Sequence, residues 1–277
     1  MDNFRNLLQD TCFVFGSNLG GRHGKGAAEF ARLFYGARPG QGEGIMGQSY
    51  GIPTKDARLK VLSLPQVRQH VAKFKEYAYS QEGREQLFQV TRIGCGLAGY
   101  EDKDIAPFFA DPPSHVFLPV KWLGLLGHLP TPRLLVDGTN LERTTFMRRL
   151  SDEDKHKIPE RVRTVLDKST QRWGSSFEVV TTHEGLVSEV AREWARGKGL
   201  PWTPCPIDMK TFGKTSVAEA ALDQQLAWYN SHALFFLAPD DVSVQRRISM
   251  LRNEGCVVKN VSIVEMAPTL SKEGPAP

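Results

Sequence analysis

The residues best placed to do chemistry are Thr91–Tyr100, which read Thr-Arg-Ile-Gly-Cys-Gly-Leu-Ala-Gly-Tyr. Gly94, Gly96 and Gly99 stand in a Gly-x-Gly-x-x-Gly spacing, after the apolar run Leu87–Val90 and before Glu101–Ala106, whose carboxylates suit the first turn of a helix. Strand, glycine turn and helix in that order let backbone N–H groups converge on a phosphate, because no side chain blocks the anionic oxygen. A second turn of the same kind follows the apolar strand Cys12–Phe15. It runs from Gly16 through Ser17, Asn18, Gly20, Gly21, His23, Gly24 and Lys25 to Gly26, and a helix is expected over Ala27–Tyr35 with Gly36 ending it. Two such turns at the C-terminal ends of neighbouring strands would face each other across a cleft, where open α/β sheets place their ligands. Asn18 can offer both amide ends to hydroxyls, Lys25 can meet a phosphate, and Tyr100 or Phe108 can wall off a ring.

The 277 residues suffice for one large domain or two of ordinary size, with 40% hydrophobic and 24% charged residues, as in globular proteins. No apolar run reaches membrane-span length and the first residues lack a signal-peptide pattern, so a cytoplasmic chain without membrane attachment is expected. Cys12, Cys95, Cys205 and Cys256 are scattered, without metal spacing, and read as reduced thiols; no metal or cofactor is expected. The net charge of +4 is mild, with 15 Lys/Arg against 12 Asp/Glu in residues 1–128 and 20 against 19 in the remainder. Neither half has the basic face of a dedicated nucleic-acid binder, and the mixed cluster Arg143–Arg172 reads as a solvated helical surface.

Along the chain, the glycine-dense stretch Pro39–Gly51 reads as a wrapping loop and Gln66–Ser80 as a helix with Val67, His70, Val71 and Phe74 on one face. His70 in that stripe reads as a core or boundary residue. His115–Pro119 suits a short strand and Val120–Thr131 a connector. The second half alternates: strands at Arg133–Asp137, Phe177–Thr182, Ala233–Ala238 and Cys256–Val264, helices at Gly185–Gly197 and Val242–Asn253. Trp194, at helical spacing, reads as core, and Ala267–Pro277 as a disordered tail.

With these residues in view, the first half resembles the macro domains, in the variant found in phage and prophage proteins. The resemblance is carried by Phe15–Gly26, Gly47–Asp56 and Ile93–Tyr100. It implies a three-layer α/β/α domain over residues 1–128 that holds ADP-ribose. The ligand contacts it implies are Gly16, Asn18, Gly21, Gly24, Lys25, Gly26 and Gln48 on one side, with Gly94, Cys95, Gly96, Leu97, Ala98, Gly99 and Tyr100 on the other. The Gly-Asp-Ile by which ordinary macro domains hold adenine has no counterpart ahead of Cys12, Asp10 lying outside any matching motif. Residues 129–266 are similar to the SLOG superfamily of Rossmann-like nucleotide binders, through Val136–Thr139, Val179–Gly185, Thr203–Asp208 and Phe212–Lys214. Thr139, His183 and Lys214 are its candidate ligand contacts. The glycines and Asp usual in that family's second turn are replaced here by Thr181-Thr182-His183, which implies an altered or lost site.

The expected fold class is therefore α/β, a macro-like domain followed by a Rossmann-like one, with 267–277 as a tail. The expected function is binding and hydrolysis of ADP-ribose-containing or other NAD-derived nucleotides, such as adduct removal or degradation of a nucleotide signal. Breaking a glycosidic bond at ribose needs a positioned water or carboxylate, and His23, Glu43 and Asp56 are the candidates. Each also reads as an ordinary turn or loop residue. A non-catalytic sensor or sponge is the alternative, needing only Asn18 and the glycine turns. A nucleic-acid reader acting through Arg143–Arg172 is a third class. The sequence leaves oligomeric state open.

Overall fold

The computed structural model describes residues 11–128, 132–140, 150–182, 185–207, 209–238, 242 and 244–263. In chain order the elements are β1 (Thr11–Asn18), α1 (Gly26–Phe34), β2 (Gly44–Met46), β3 (Ser49–Lys55), α2 (Leu64–Tyr79), α3 (Gln81–Arg84) and β4 (Leu87–Val90). Then come α4 (Asp102–Ile105), β5 (Val116–Phe117), α5 (Val120–Leu125), β6 (Arg133–Gly138), α6 (Asp152–Thr170), β7 (Glu178–Thr181), α7 (Gly185–Gly197) and β8 (Trp202–Pro204). The last are α8 (Met209–Phe212), α9 (Thr215–Tyr229), β9 (His232–Leu237), α10 (Gln245–Asn253) and β10 (Val257–Ser262). The protein is α/β, with one mixed and one parallel sheet.

The chain divides into two compact units, residues 1–130 with 207–229 and residues 131–206 with 230–277. The sequence reading assigns all of 129–266 to a second domain; segment 207–229 instead groups with the first unit. Its packing supplies the reason. Phe212 stacks on Phe30 at 5.6 Å and meets Phe34 edge-on at 5.0 Å, while the Tyr229 hydroxyl donates to Val90 O at 3.0 Å.

The first unit's sheet runs β2-β3-β1-β4-β5, with β2 antiparallel to β3 and the other pairs parallel. Central β1 is buried along nearly its whole length, and period-2 alternation sends its side chains to two cores. Cys12 and Val14 pack with Val67, Val71 and Phe74 of α2 and with Trp122, whereas Phe13 and Phe15 pack with Ala28 and Ala31 of α1 and with Tyr35. The face of α2 is the expected one; Gln66 accepts from Ser63 N–H at 3.0 Å to close its first turn.

Two expectations are corrected here. The stretch Pro39–Gly51 carries β2 and the start of β3, and the presumed connector after Pro119 begins with α5, which buries Trp122. Glycine and proline hid β3. Its Pro53 lies beyond the pairing with β2, which ends at Gly51, so the missing N–H falls where β3 has an open side.

The second unit's sheet runs β10-β9-β6-β7-β8, all parallel. This is the doubly wound order, reversing direction between β6 and β9. Ile158, Val162 and Leu166 of α6 and Val187, Val190, Ala191 and Trp194 of α7 join Val136, Val179 and Phe236 in its core. His183, residues 141–149 of the charged cluster, Val264 and the tail from 267 lie outside the described residues. Among the described residues no helix is long and apolar enough to cross a membrane.

Candidate functional site

A cavity of about 580 Å³ opens in the first unit at the C-terminal ends of β1, β3 and β4. Both glycine turns line it. Gly16, Ser17, Asn18, Arg22 and Gly24–Ala28 form one side, and Thr91–Gly94 with Gly96–Ala98 another; Thr54, Lys55 and Leu59 complete it. The volume falls within the usual range for small-molecule sites.

The first wall ends in the N-terminus of α1. Lys25 occupies the cap position without a side-chain cap bond, and the first intrahelical donor is Glu29 N, to Lys25 O at 3.4 Å. The N–H groups of Gly26, Ala27 and Ala28 therefore have no acceptor among the described residues, and the helix dipole adds partial positive charge there. Opposite, Gly99 N bonds Gly96 O at 2.9 Å and Tyr100 N bonds Gly94 O at 3.0 Å, which folds the loop back on itself. That leaves the N–H groups of Gly96, Leu97 and Ala98 without acceptors among the described residues. Arg22, Lys25, Lys55 and Arg92 add four cations to the lining, and no Asp or Glu joins them. Such a surface accepts an extended anion with several oxygens, through backbone donors more than through ion pairs.

Two glycines of the lining stand in open space. Gly24 and Gly96 lack positive φ, and a Cβ at either would meet nothing within 4 Å. Neither backbone conformation nor a neighbouring atom requires glycine at these two positions of the lining, so a larger side chain there would extend into open space. Gly42 is the opposite case, since a Cβ there would sit 2.0 Å from Asn18 O, so the 39–44 stretch can lie directly on the first turn.

The remaining expected contacts fall in other places. Asn18 lines the cavity, yet both its amide ends bond Arg22: Nδ2 donates to Arg22 O at 2.9 Å and Oδ1 accepts from Arg22 N at 3.0 Å. It shapes the turn itself. Gly21 N closes that turn onto Asn18 O at 2.9 Å, away from the lining. Gln48 belongs to the β2–β3 turn; Phe13 N donates to its carbonyl at 2.8 Å, at the opposite end of β1 from the cavity. Cys95, Gly99 and Tyr100 are not part of the lining. The Tyr100 hydroxyl donates to Leu62 O, and burial, then the Asp102 carboxylate, pushes the Cys95 thiol up to about 12, far from a reactive thiolate.

None of the three catalytic candidates lines the cavity. His23 is buried behind Ser17, its Nε2 3.1 Å from Ser17 Oγ and its ring edge-on to Phe15; burial and the Arg32 charge hold its pKa below the ordinary value. Glu43 pairs with His70 Nδ1 at 2.6 Å and Lys73 Nζ at 2.9 Å, tying the start of β2 to α2. Asp56 Oδ1 accepts the N–H groups of Arg58 and Lys60, each at 2.8 Å, and so closes the turn after β3. Residue type suits all three to act on a glycosidic bond, but each side chain is engaged by other groups of the protein and stands outside the cavity lining.

Sequence reasoning missed Arg92 and its holder. Asp102 accepts from Arg92 Nε at 2.8 Å, from Trp122 Nε1 at 2.7 Å and from Lys121 Nζ at 2.9 Å, which together hold its carboxyl far below the usual carboxylate range. An arginine adjoining a glycine turn, ten residues before an Asp at a helix start, was the available clue.

In the second unit, Thr139 Oγ1 accepts from Ala238 N at 2.9 Å and so joins β6 to the segment after β9. Asp137 accepts from Thr182 Oγ1 at 3.0 Å and from Arg247. Lys214, expected here, precedes α9 in the first unit. Among the described residues no group of His, Cys, Asp and Glu could hold a metal. No protein-family model matches the chain, and no curated protein or solved structure matches it at a significant level.

Proposed function

We propose that the chain binds ADP-ribose or another NAD-derived nucleotide in the first-unit cavity, gripping it by the diphosphate. One observation carries this reading: two glycine turns distant in sequence line a single cavity, with unpartnered N–H groups on both and four cations without a carboxylate among its lining residues. A diphosphate has the oxygens and the slender shape to use such donors, and a Cβ at Gly24 or Gly96 would occupy its space. The macro-like identity of the first unit and the SLOG-like, Rossmann-like identity of the second belong to the same proposal. The motifs quoted above support them, as does the doubly wound strand order of the second sheet. A phage setting follows from the resemblance, and a cytoplasmic location from the scattered, unpaired cysteines.

Between hydrolase and binding-only sensor or sponge, the lining favours the second. It contains no Asp, Glu, His or Cys to act as base or nucleophile. Calorimetric titration of ADP-ribose into the full chain, with chromatography of the ligand afterwards, separates the two. The full chain is needed because residues 207–229 complete the first unit. Saturable binding with intact ligand is expected, weakened about 100-fold or more by Gly96→Val with no change in thermal midpoint. Conversion of the ligand would restore the hydrolase, and no binding at millimolar ADP-ribose would end the nucleotide reading.

A further inference from the structure

A nucleobase can be held by its edges or by its faces, and the cavity is unequally equipped for the two. The exocyclic amine is what marks adenine's edge as a donor, and a side chain that reads it must supply a free acceptor. No carboxylate lines the cavity among the described residues, and the uncharged polar side chains are largely engaged within the protein. Asn18 Oδ1 accepts from Arg22 N, Ser17 Oγ is bonded to His23, and the Thr54 hydroxyl donates to Ser17 O at 3.2 Å. For the faces, two apolar side chains stand ready. Leu59 and Leu97 both line the cavity and are 44% and 68% exposed. They are carried by the turns after β3 and β4, the two strands that flank β1.

Leu59 is also held in an unusual way. Its φ of +67° lies in the left-handed region that favours glycine, and strain of this kind gathers at functional positions. Asp56 maintains it: the carboxylate takes Arg58 N and Lys60 N, and Leu59 N donates to Asp56 O at 3.1 Å. Leu59 belongs to neither core cluster of the first sheet, so this strained turn does not serve packing. Leu97 leans the other way, its Cδ1 3.6 Å from where a Cβ of Gly26 would lie, beside the unpartnered N–H groups of α1.

The geometry points to a base held by its flat faces against Leu59 and Leu97 and read at no edge, so that the cavity accepts nucleoside diphosphates whatever their base. This rests on the nucleotide reading above and adds the specificity that reading leaves open.

The test is calorimetric titration of the full chain with ADP, GDP, CDP and UDP, with inorganic pyrophosphate as the base-free control and ADP-ribose run alongside. The four diphosphates are expected within about tenfold of one another, each about fivefold or more tighter than pyrophosphate. Leu59→Gly, which relieves the left-handed strain while removing the side chain, is expected to weaken all four equally, by about fivefold, with an unchanged or raised thermal midpoint. A preference beyond about tenfold for one base, or affinities no better than pyrophosphate, overturns the face-held base. ADP-ribose binding that persists in either case leaves the nucleotide reading standing; its absence removes both.

Discussion

The C-terminal ends of β1 and β6 are comparable places, each the end of a central strand in a largely parallel sheet, and they are furnished in opposite ways. Past β1, backbone N–H groups on two turns that line a cavity have no acceptor among the described residues, and of the cations beside them Arg92 is paired with Asp102, which lies outside the lining. Past β6, the polar groups satisfy one another. Asp137 is taken by Arg247 and Thr182, Thr182 also lies 3.4 Å from Ser188 Oγ, and the Thr139 hydroxyl is used by Ala238 N. The end of a central strand is thus an open cavity in one unit and an internal lock in the other. Strand order provides the location, and whether the polar groups there are already paired decides its use.

This contrast can be broken most forcefully at Gly42. Gly42→Val would place a side chain inside van der Waals contact of Asn18 O, and a loss of roughly 4 kcal/mol or more is expected in denaturant unfolding. A mild effect would mean that the 39–44 stretch does not brace the first turn. Next in size is Asp137→Asn, which leaves the Arg247 guanidinium without its carboxylate. About 3 kcal/mol of stability should go, while ADP-ribose affinity stays as it was. Weakened binding would make Asp137 more than a lock. Gly24→Val should do the reverse, weakening ADP-ribose by about tenfold or more at constant stability, because the space it fills is the cavity.

A smaller effect follows from His23. Its folded pKa lies below the ordinary 6.5, so the unfolded chain binds the proton more readily and stability rises with pH through this window. The contribution is complete above the unfolded pKa and is lost as pH falls from there toward the lowered folded value. Thermal midpoints of His23→Gln should therefore fall less steeply on acidification than those of the wild type; parallel curves would separate His23 from the acid response. Least of all, Glu43→Gln should cost about 0.5–1 kcal/mol, since its partners are partly exposed, and leave binding untouched. Abolished turnover in that variant would reopen Glu43 as a catalyst.

The sequence by itself determined the α/β character, the face of α2, the strands β1, β4, β6 and β9, and the two glycine turns. Each rests on local physics: apolar runs, helical periodicity, and glycines where a side chain cannot go. It could not show α9 as part of the first unit. Ala218, Leu222, Asp223, Gln225, Leu226 and Tyr229 are all buried, so the helix has no polar stripe to give it a period, and its partners, such as Phe30 and Val90, lie far back in the chain, 139 residues for Tyr229 and Val90. Nor could it tell which titratable groups face the cavity. His23 lies among the glycines in sequence, yet β1 turns Ser17 toward the imidazole and buries it; Asp56 and Glu43 are claimed by a turn and by α2. Arg92 enters the site because Asp102 holds it, and Trp122 in turn donates to Asp102. Side-chain direction and partnership come from packing between elements far apart in the chain, and only the tertiary structure decides them.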